Sequence, residues 1–193
     1  MGTTGAQAKQ LIVFTLLARL VCLEAGQVAA EDFYKLEAAD IHGKTISFGA
    51  FRDTKTVVIT NVASQCGYTD SHYADYKYMQ KKHHKDVKVI AFPCNQFGRQ
   101  EPGSAADIKE FAESHGLAVD EPESNFRLMG KTYVNGPKEH PVYTFLKKNT
   151  DGAAIQWNFL TKFVVQCDIQ VCSINRHDTD KITSTLVGRG SEL

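Results

Sequence analysis

Two short apolar runs separated by a helical pattern constrain the fold of this chain most strongly. Residues 56–62 and 87–92 are rich in β-branched side chains with apolar residues on both faces, which is typical of strands buried inside a sheet. Residues 69–84 place apolar and aromatic side chains at helical spacing, namely Tyr73, Tyr76, Met79 and His83. Strand, helix and strand within about thirty-five residues predict a βαβ unit, and therefore a parallel pair of strands with a crossover helix.

The remaining segments extend this unit into a small three-layer α/β domain. Ser104 and Asp107 have the spacing of a helix N-terminus, and Gly116 is typical of a helix end. The other expected elements are helices over residues 141–148 and 179–187 and a β-hairpin formed by residues 155–165 and 170–174. The fold class predicted from this order is α/β, with a central β-sheet flanked by helices.

The balance of charges excludes one class of partner. The 193 residues include 22 Lys and Arg and 22 Asp and Glu, so the formal net charge is zero. Because a nucleic-acid track needs a basic excess, we expect no nucleic-acid partner. Apolar residues make up 42% of the chain, which is enough to bury a core, and the length fits one domain.

Residues 1–30 have the pattern of a secretory signal peptide. Lys9 precedes an apolar run that is shorter than the roughly 20 residues of a membrane span, and Arg19 interrupts that run. Small residues at 28–30 fit a signal peptidase site. An uncleaved anchor is the alternative. Cleavage predicts a chain in the secretory pathway, extracellular or in the endoplasmic reticulum lumen, with residues 31–193 as its single domain and no stable membrane anchor.

The five cysteines do not form a scaffold or a metal site by their spacing. They are Cys22, Cys66, Cys94, Cys167 and Cys172. Four in the mature chain are too few for a disulfide framework, and no C-x-x-C pair is present to bind zinc. We therefore expect no metal.

Cys66 stands apart because it lies between the first predicted strand and the helix. Free N–H groups at a helix N-terminus favour a thiolate. That interaction is worth about 0.3–1 kcal/mol at an exposed site, too little alone to keep a thiol ionised at neutral pH, so a reactive sulfur needs further donors. An inert buried cysteine is the alternative. Thr69 stands where a dithiol oxidoreductase needs its second cysteine, so a peroxidase passing through a sulfenic acid fits better.

Three segments resemble the signatures of the glutathione peroxidase family, in the family's order. They are residues 61–69 (NVASQCGYT), residues 92–103 (FPCNQFGRQEPG) and residues 157–159 (WNF). The resemblance implies a thioredoxin-like fold with a mixed sheet. It also implies the reduction of hydrogen peroxide and of organic or lipid hydroperoxides by thiols, as part of the response to oxidative stress. The implied catalytic residues are Cys66 as the peroxidatic residue and Gln100, Trp157 and Asn158, whose neutral donors can hold a thiolate and peroxide oxygens.

The resemblance also implies what the enzyme works with. The expected co-substrate is a thiol, glutathione before others, with no further cofactor. Many family members carry selenocysteine where Cys66 stands, and selenocysteine in the encoded protein stays an open alternative. Residues 149–156 lack the loop that the tetrameric branch inserts, which favours a monomer.

Other departures from the family pattern concern the reductant. Residues 103–140 contain no resolving cysteine. Residues 31–34 and 66–73 are similar to the cysteine-type branch of the endoplasmic reticulum, whose members pass oxidising equivalents to protein disulfide isomerase. Cys94 matches the second redox cysteine of that branch. A lumenal peroxidase that feeds the isomerase is therefore one alternative function, and a redox-silent binding protein on the same fold is another.

The last departure lies in the predicted hairpin. The family has an Asp-x-x-Gly turn and a basic strand where this chain carries Cys167 and Cys172, which either form a disulfide or pack as free thiols. The loss of those basic residues weakens the expectation of strong glutathione binding. Arg176, Lys148 and Lys162 are the substitutes that the sequence offers.

Overall fold

The computed structural model describes residues 31–83, 85–119, 121, 124–167 and 172–178, with the backbone but not the side chains of Cys167, Cys172 and Asp178. The strands are β1 Glu37–Ala39, β2 Thr45–Ser47, β3 Thr56–Val62, β4 Val87–Pro93, β5 Phe126–Leu128, β6 Thr161–Cys167 and β7 Cys172–Asp178. The helices are α1 Thr69–Lys82, α2 Ala105–Ser114 and α3 Pro141–Lys148, and a 3₁₀ turn spans Phe48–Phe51.

A mixed sheet in the order β5-β4-β3-β6-β7 forms the centre of the domain. β3 and β4 run parallel, with Thr56 opposite Val87 and Val62 opposite Pro93, and β5 continues parallel to β4. β6 pairs antiparallel with β3, and β7 with β6. β1 and β2 form a separate antiparallel hairpin. The predicted βαβ unit and mixed sheet are therefore confirmed.

Two apolar clusters cover the two faces of this sheet. Every residue of β3 is buried, as expected for a central strand. One face, here named the α1–α2 face, includes Val58 and Val89 and packs against α1 and α2. The other, the α3 face, includes Val57 and Ile90 and packs against α3 and the β1–β2 hairpin. Alternate strand residues point to opposite faces, which gives the three layers expected from the sequence.

The helix ends follow from local sequence. Ser104 caps α2 in a capping box: its Oγ accepts from the Asp107 N–H, and the Asp107 carboxylate accepts from the Ser104 N–H. Gly116, at φ +80°, follows the end of that helix in the left-handed conformation. At α3, the Val142 N–H donates to His140 Nδ1 at 3.2 Å, and Pro141 occupies the first turn.

The predicted hairpin exists, but its bounds were wrong. β6 begins at Thr161 and not at residue 155, because Phe159 has a φ of +69° that an extended strand does not allow. The Phe159 N–H instead donates to the Asn61 carbonyl at 2.8 Å. β7 runs to Asp178, beyond the predicted end. β1, β2 and β5 were not predicted because each is a three-residue strand, too short to show periodicity.

Some expectations fall outside what the structure describes, including the helix over residues 179–187 and the segment 1–30. Within the described ranges, no helix is long and apolar enough to cross a bilayer. The same ranges hold no group of three His, Cys, Asp or Glu side chains placed to bind a metal ion.

Candidate active site

Cys66 lies in the loop that joins β3 to α1, and 8% of the residue is exposed. The Thr69 side chain shapes this loop: its Oγ1 accepts from the Cys66 N–H at 3.2 Å and donates to the Ala63 carbonyl at 2.6 Å. The Thr69 N–H donates to the Cys66 carbonyl at 3.0 Å. Thr69, where a dithiol motif would have its second cysteine, therefore fixes the backbone that carries Cys66 at the entrance of α1.

The segment after β4 runs alongside this loop. The Gln65 N–H donates to the Gln100 carbonyl at 2.9 Å. The Ser64 N–H and Oγ–H donate to the two carboxylate oxygens of Glu101 at 2.9 and 2.8 Å. Glu101 is fully buried, and burial raises its pKa while the two donors from Ser64 oppose that rise. Gln100 and Cys66 are thus carried by two loops that are bonded to each other.

Asn158 connects a third loop to the same place. Its Nδ2–H donates to Gln100 Oε1 at 3.2 Å, across 58 residues of sequence. Asn158 is completely buried, and its Oδ1 accepts from Asn61 Nδ2 at 2.9 Å. Two of the predicted catalytic side chains are therefore in direct contact.

Trp157 completes the predicted set. Its ring packs against the apolar cluster that contains Cys66. It also lies close to the backbone at Gly98: a Cβ built on that glycine would stand 3.6 Å from Trp157 Cη2 and 3.4 Å from Gln100 Cγ. Phe97 contacts the indole from another side, with ring centroids 5.8 Å apart. The structure therefore brings together the loops of all four predicted catalytic residues.

Backbone strain is concentrated at these loops. In the part of the chain that the structure describes, the non-glycine residues with positive φ are Arg99 at +54° and Phe159 at +69°. Arg99 precedes Gln100 and Phe159 follows Asn158. Such conformations cost on the order of 1–3 kcal/mol each and are found preferentially at functional sites. The His72 ring stacks on Phe159 with centroids 5.1 Å apart, which supports one of the two strained residues.

Cys94 is placed differently from Cys66. It is fully buried in the cluster on the α3 face, whereas Cys66 belongs to the cluster on the α1–α2 face. Burial raises the pKa of the Cys94 thiol. Its backbone N–H donates to the Val62 carbonyl at 2.9 Å, so Cys94 continues the pairing of β4 with β3. This placement does not bring Cys94 to the surface where a partner thiol could reach it, and the second redox role stays a prediction.

The other cysteine pair lies at the end of the hairpin. Cys167 and Cys172 are backbone partners in the β6–β7 register. Their side chains lie outside what the structure describes, so the alternatives of disulfide and free thiols remain as the sequence left them.

Two of the basic residues offered for glutathione have internal partners. The Arg176 side chain is 5% exposed and donates to the carbonyls of Ala153 and Ala154 at 2.5 and 3.2 Å and to Asp151 Oδ1 at 3.1 Å. Lys162 is 1% exposed. The suggestion that these two bind glutathione was therefore wrong, because neither side chain is available at the surface. Arg176 instead fastens the loop that leads to Trp157.

Sequence reasoning missed two residues that hold the site together, Asn61 and Glu101, and assigned Arg176 a different role. Buried polar side chains at loops and strand ends are the signal that could have indicated Asn61 and Glu101. Their partners, however, come from distant segments that only the fold brings close.

The fold and the site define a class. A single cysteine lies at the entrance of a helix, beside a parallel βαβ unit. Asn158 contacts Gln100, and Trp157 packs against the apolar cluster that contains the cysteine. The side chains of these three residues can donate hydrogen bonds but cannot compete as nucleophiles. This arrangement is that of a thiol-based redox protein that uses one attacking cysteine.

Comparison with known proteins gives the family. Residues 33–147 match the family model of glutathione peroxidase. The chain is 37% identical over 156 residues to the chloroplastic phospholipid hydroperoxide glutathione peroxidase 1 of Arabidopsis thaliana, which covers 79% of this chain and 63% of that protein. It is 37% identical over 167 residues to glutathione peroxidase 7 of Bos taurus, covering 85% and 82%. The chain belongs to the glutathione peroxidase family, a family of thiol-dependent peroxidases.

Solved structures agree with this assignment. The crystal structure of Trgpx in apo form superposes with a TM-score of 0.56 at 26% identity, over 81% of this chain and 91% of that one. The structure of T. cruzi GPX1 gives a TM-score of 0.52 at 30% identity, over 75% and 84%. The predicted thioredoxin-like fold is therefore confirmed.

Proposed function

We propose that this chain is a peroxidase that reduces hydrogen peroxide and organic or lipid hydroperoxides through Cys66, as part of antioxidant defence. The observation that carries the proposal is the contact between Asn158 and Gln100, on two loops that converge on the Cys66 loop. Family membership supports the reaction type, and the relatives named above include one whose name specifies phospholipid hydroperoxides.

The first chemical step uses the thiolate of Cys66. The sulfur attacks one peroxide oxygen, an S–O bond forms, and the O–O bond breaks. The leaving oxygen departs as water or an alcohol after taking up a proton, and Cys66 becomes a sulfenic acid. The thiolate and the departing oxygen both carry negative charge, so N–H donors fixed in place before the reaction lower the barrier.

The roles of the three neighbouring residues follow from their chemistry. The amide of Gln100 and the indole N–H of Trp157 are neutral donors that stabilise the thiolate and the departing oxygen. Asn158 fixes Gln100 through the hydrogen bond to its Oε1 and adds a second amide to the site. None of these groups can replace Cys66 as the nucleophile.

Two thiols then complete the cycle. The first condenses with the sulfenic acid, giving a mixed disulfide and water, and the second attacks that disulfide and releases Cys66 as a thiolate. In total, one hydroperoxide and two thiols give one alcohol, one water and one disulfide. We propose glutathione as the thiol. Lys148, on the exposed side of α3, is the basic residue of the three suggested that remains at the surface.

Stopped-flow fluorescence tests this function directly, because Trp157 is the one tryptophan of the whole chain. Addition of micromolar hydrogen peroxide should change the emission in a fast single phase, and glutathione should restore it. Cys66→Ser should remove the phase, while Cys94→Ser should retain it. Wild-type protein whose Cys66 stays reduced under peroxide, by mass spectrometry, would contradict the proposal. Recovery with reduced protein disulfide isomerase but not with glutathione would instead support the lumenal alternative.

We further propose that residues 1–30 are a secretory signal and that the mature chain is a monomer in the lumen or outside the cell. The support is the signal-like sequence and the short segment between α3 and β6. Intact-mass analysis of protein purified from a eukaryotic secretory host should give a mature N-terminus near residue 31. The same spectrum reports sulfur or selenium at position 66, and light scattering should give the mass of one chain.

A further inference from the structure

Asn61 is the second-last residue of β3, the central strand of the five-stranded sheet. The residue is fully buried. Its Nδ2 lies 2.9 Å from Asn158 Oδ1 and 3.3 Å from the Trp157 carbonyl oxygen. It therefore contacts both consecutive residues of the third catalytic loop.

The Trp157 carbonyl fixes which way this amide points. A carbonyl oxygen only accepts hydrogen bonds, so the group of Asn61 that faces it must be the NH₂ group. The same NH₂ group faces Asn158, which must present Oδ1 to it.

The orientation of the Asn61 amide then determines the orientation of the next two side chains, Asn158 and Gln100. Asn158, with its oxygen turned to Asn61, has its Nδ2 facing Gln100, 3.2 Å from Oε1. Gln100 therefore accepts through its oxygen, and its own NH₂ group is the end directed away from Asn158. A reversed chain would turn the oxygen of Gln100 outward, where it would repel a thiolate or a departing oxygen.

We infer that Asn61 is a positioning residue that sets the donor direction of Asn158 and Gln100, so that Gln100 offers N–H groups to the reacting sulfur and peroxide. This inference rests on the proposed function. In the described part of the chain, Asn61 Oδ1 is buried without a hydrogen-bond partner. An apolar residue would avoid the desolvation cost of that unpaired oxygen. The asparagine therefore does not favour the stability of the strand, and its contribution comes from the hydrogen bonds of its NH₂ group.

The chain contains a matched control. Asn125 is also buried, its Nδ2 also donates to a backbone carbonyl, that of Met79 at 3.2 Å, and its Oδ1 also lacks a partner among the described residues. Met79 lies ten residues after Thr69 on α1, about 15 Å along that helix from its start. Changes at Asn125 should therefore reproduce the structural cost without touching the site.

The test compares the same substitutions at both positions. Asn61→Leu removes the donor without adding charge, and the rate constant for Cys66 oxidation by hydrogen peroxide should fall about tenfold. Asn61→Asp favours the reversed chain and should lower the rate about ten- to a hundredfold. Asn125→Leu and Asn125→Asp should stay within about twofold of wild type, the scale of a modest packing change.

A second readout separates positioning from general destabilisation. The rate of Cys66 alkylation by iodoacetamide, followed by peptide mass spectrometry, should require higher pH in both Asn61 variants and be unchanged in the Asn125 variants. Wild-type rates and pH profiles in Asn61→Leu overturn the inference, as do equal losses at both positions. Wild-type protein that peroxide does not oxidise at Cys66 overturns the proposed function and this inference with it.

Discussion

Cys66 and Cys94 follow the carboxyl ends of two neighbouring parallel strands, yet they belong to different chemical environments. Cys94 comes directly after β4 and still pairs with β3 through its N–H. Its side chain therefore continues the alternation of Ile90 and Phe92 into the α3 face. Cys66 lies four residues beyond β3, in a loop that turns into α1 and contacts the opposite cluster.

This difference shows what makes a cysteine reactive in such a fold. Closeness to the carboxyl edge of the sheet is common to both residues. What Cys66 has and Cys94 lacks is release from the strand register and a helix entrance behind it. The loop of Cys66 is also hydrogen-bonded to the loop of Gln100, which in turn contacts Asn158. Burial raises the pKa of the Cys94 thiol and so disfavours its thiolate.

Loss of one N–H donor near Cys66 should have the largest effect, because it removes a feature that distinguishes Cys66 from Cys94. Gln100→Ala should slow oxidation of Cys66 about a hundredfold, because a fixed N–H donor at the site of developing charge is lost. Trp157→Phe keeps an aromatic ring but loses the indole N–H, and about a tenfold loss is expected. Quenched-flow mass spectrometry measures both. Gln80→Ala is the control, since its amide bonds Ala118 and Ser124 remote from the site. Wild-type rates in the first two variants would refute their roles.

Loss of a hydrogen bond between Glu101 and the Cys66 loop should have a smaller effect on the oxidation rate. Glu101→Gln replaces one carboxylate oxygen with an NH₂ group that cannot accept from Ser64. Losing one such hydrogen bond should lower the oxidation rate about three- to tenfold. Peroxide stopped-flow measures this, and circular dichroism should report an unchanged fold. An unaltered rate would mean that the loop keeps its shape without Glu101.

Cys94 should contribute to stability and not to the peroxide step. Cys94→Ala should leave the oxidation rate within about twofold of wild type and cost about 1 kcal/mol of unfolding free energy, as is usual for truncation at a buried site. In the native wild type, Cys94 should resist iodoacetamide while Cys66 reacts. A large loss of glutathione-supported turnover in Cys94→Ala, with normal oxidation of Cys66, would instead assign Cys94 a resolving role.

The smallest expected effect is a pH dependence of the unfolding free energy that originates on the α3 face, the face that contains Cys94. Burial lowers the pKa of His140, whose neutral Nδ1 accepts the Val142 N–H at the start of α3. The unfolded chain therefore binds more protons than the folded one as the pH falls below about 6.5, and stability decreases there.

His140→Asn preserves a cap and should flatten this decrease. Urea unfolding at pH 7.5 and 5.5 measures it, with the exposed His42 changed to Asn as the control. The oxidation rate of Cys66 should not change in either variant. An unaltered slope in His140→Asn would place the acid sensitivity elsewhere.

The fold was largely predictable because its central unit is long and regular. The β-branched runs of β3 and β4 and the helical spacing of α1 each extend over several residues, enough for periodicity to emerge. Strand alternation also predicts the face that Cys94 occupies, since Ile90, Phe92 and Cys94 are spaced two positions apart and lie in one cluster. The start of β6 was not available, since the left-handed Phe159 leaves no mark in the local pattern.

The site was predictable only in part. Cys66 emerged from its position between strand and helix, but Gln100, Trp157 and Asn158 were identified through the family motifs. Asn61 could not be identified because its partner Asn158 is 97 residues away. Local sequence shows a polar residue in a strand, and only the folded chain shows what it binds.

Arg176 connects the loop that carries Trp157 and Asn158 to β7, at the edge of the sheet. The arginine projects from β7 and secures residues 151–154, just ahead of Trp157. The family match ends at residue 147, before either segment. A variant that ends before β7 would retain all four catalytic residues, Cys66, Gln100, Trp157 and Asn158, in its sequence. It would lose Arg176, and with it the hydrogen bonds that hold the segment just before Trp157.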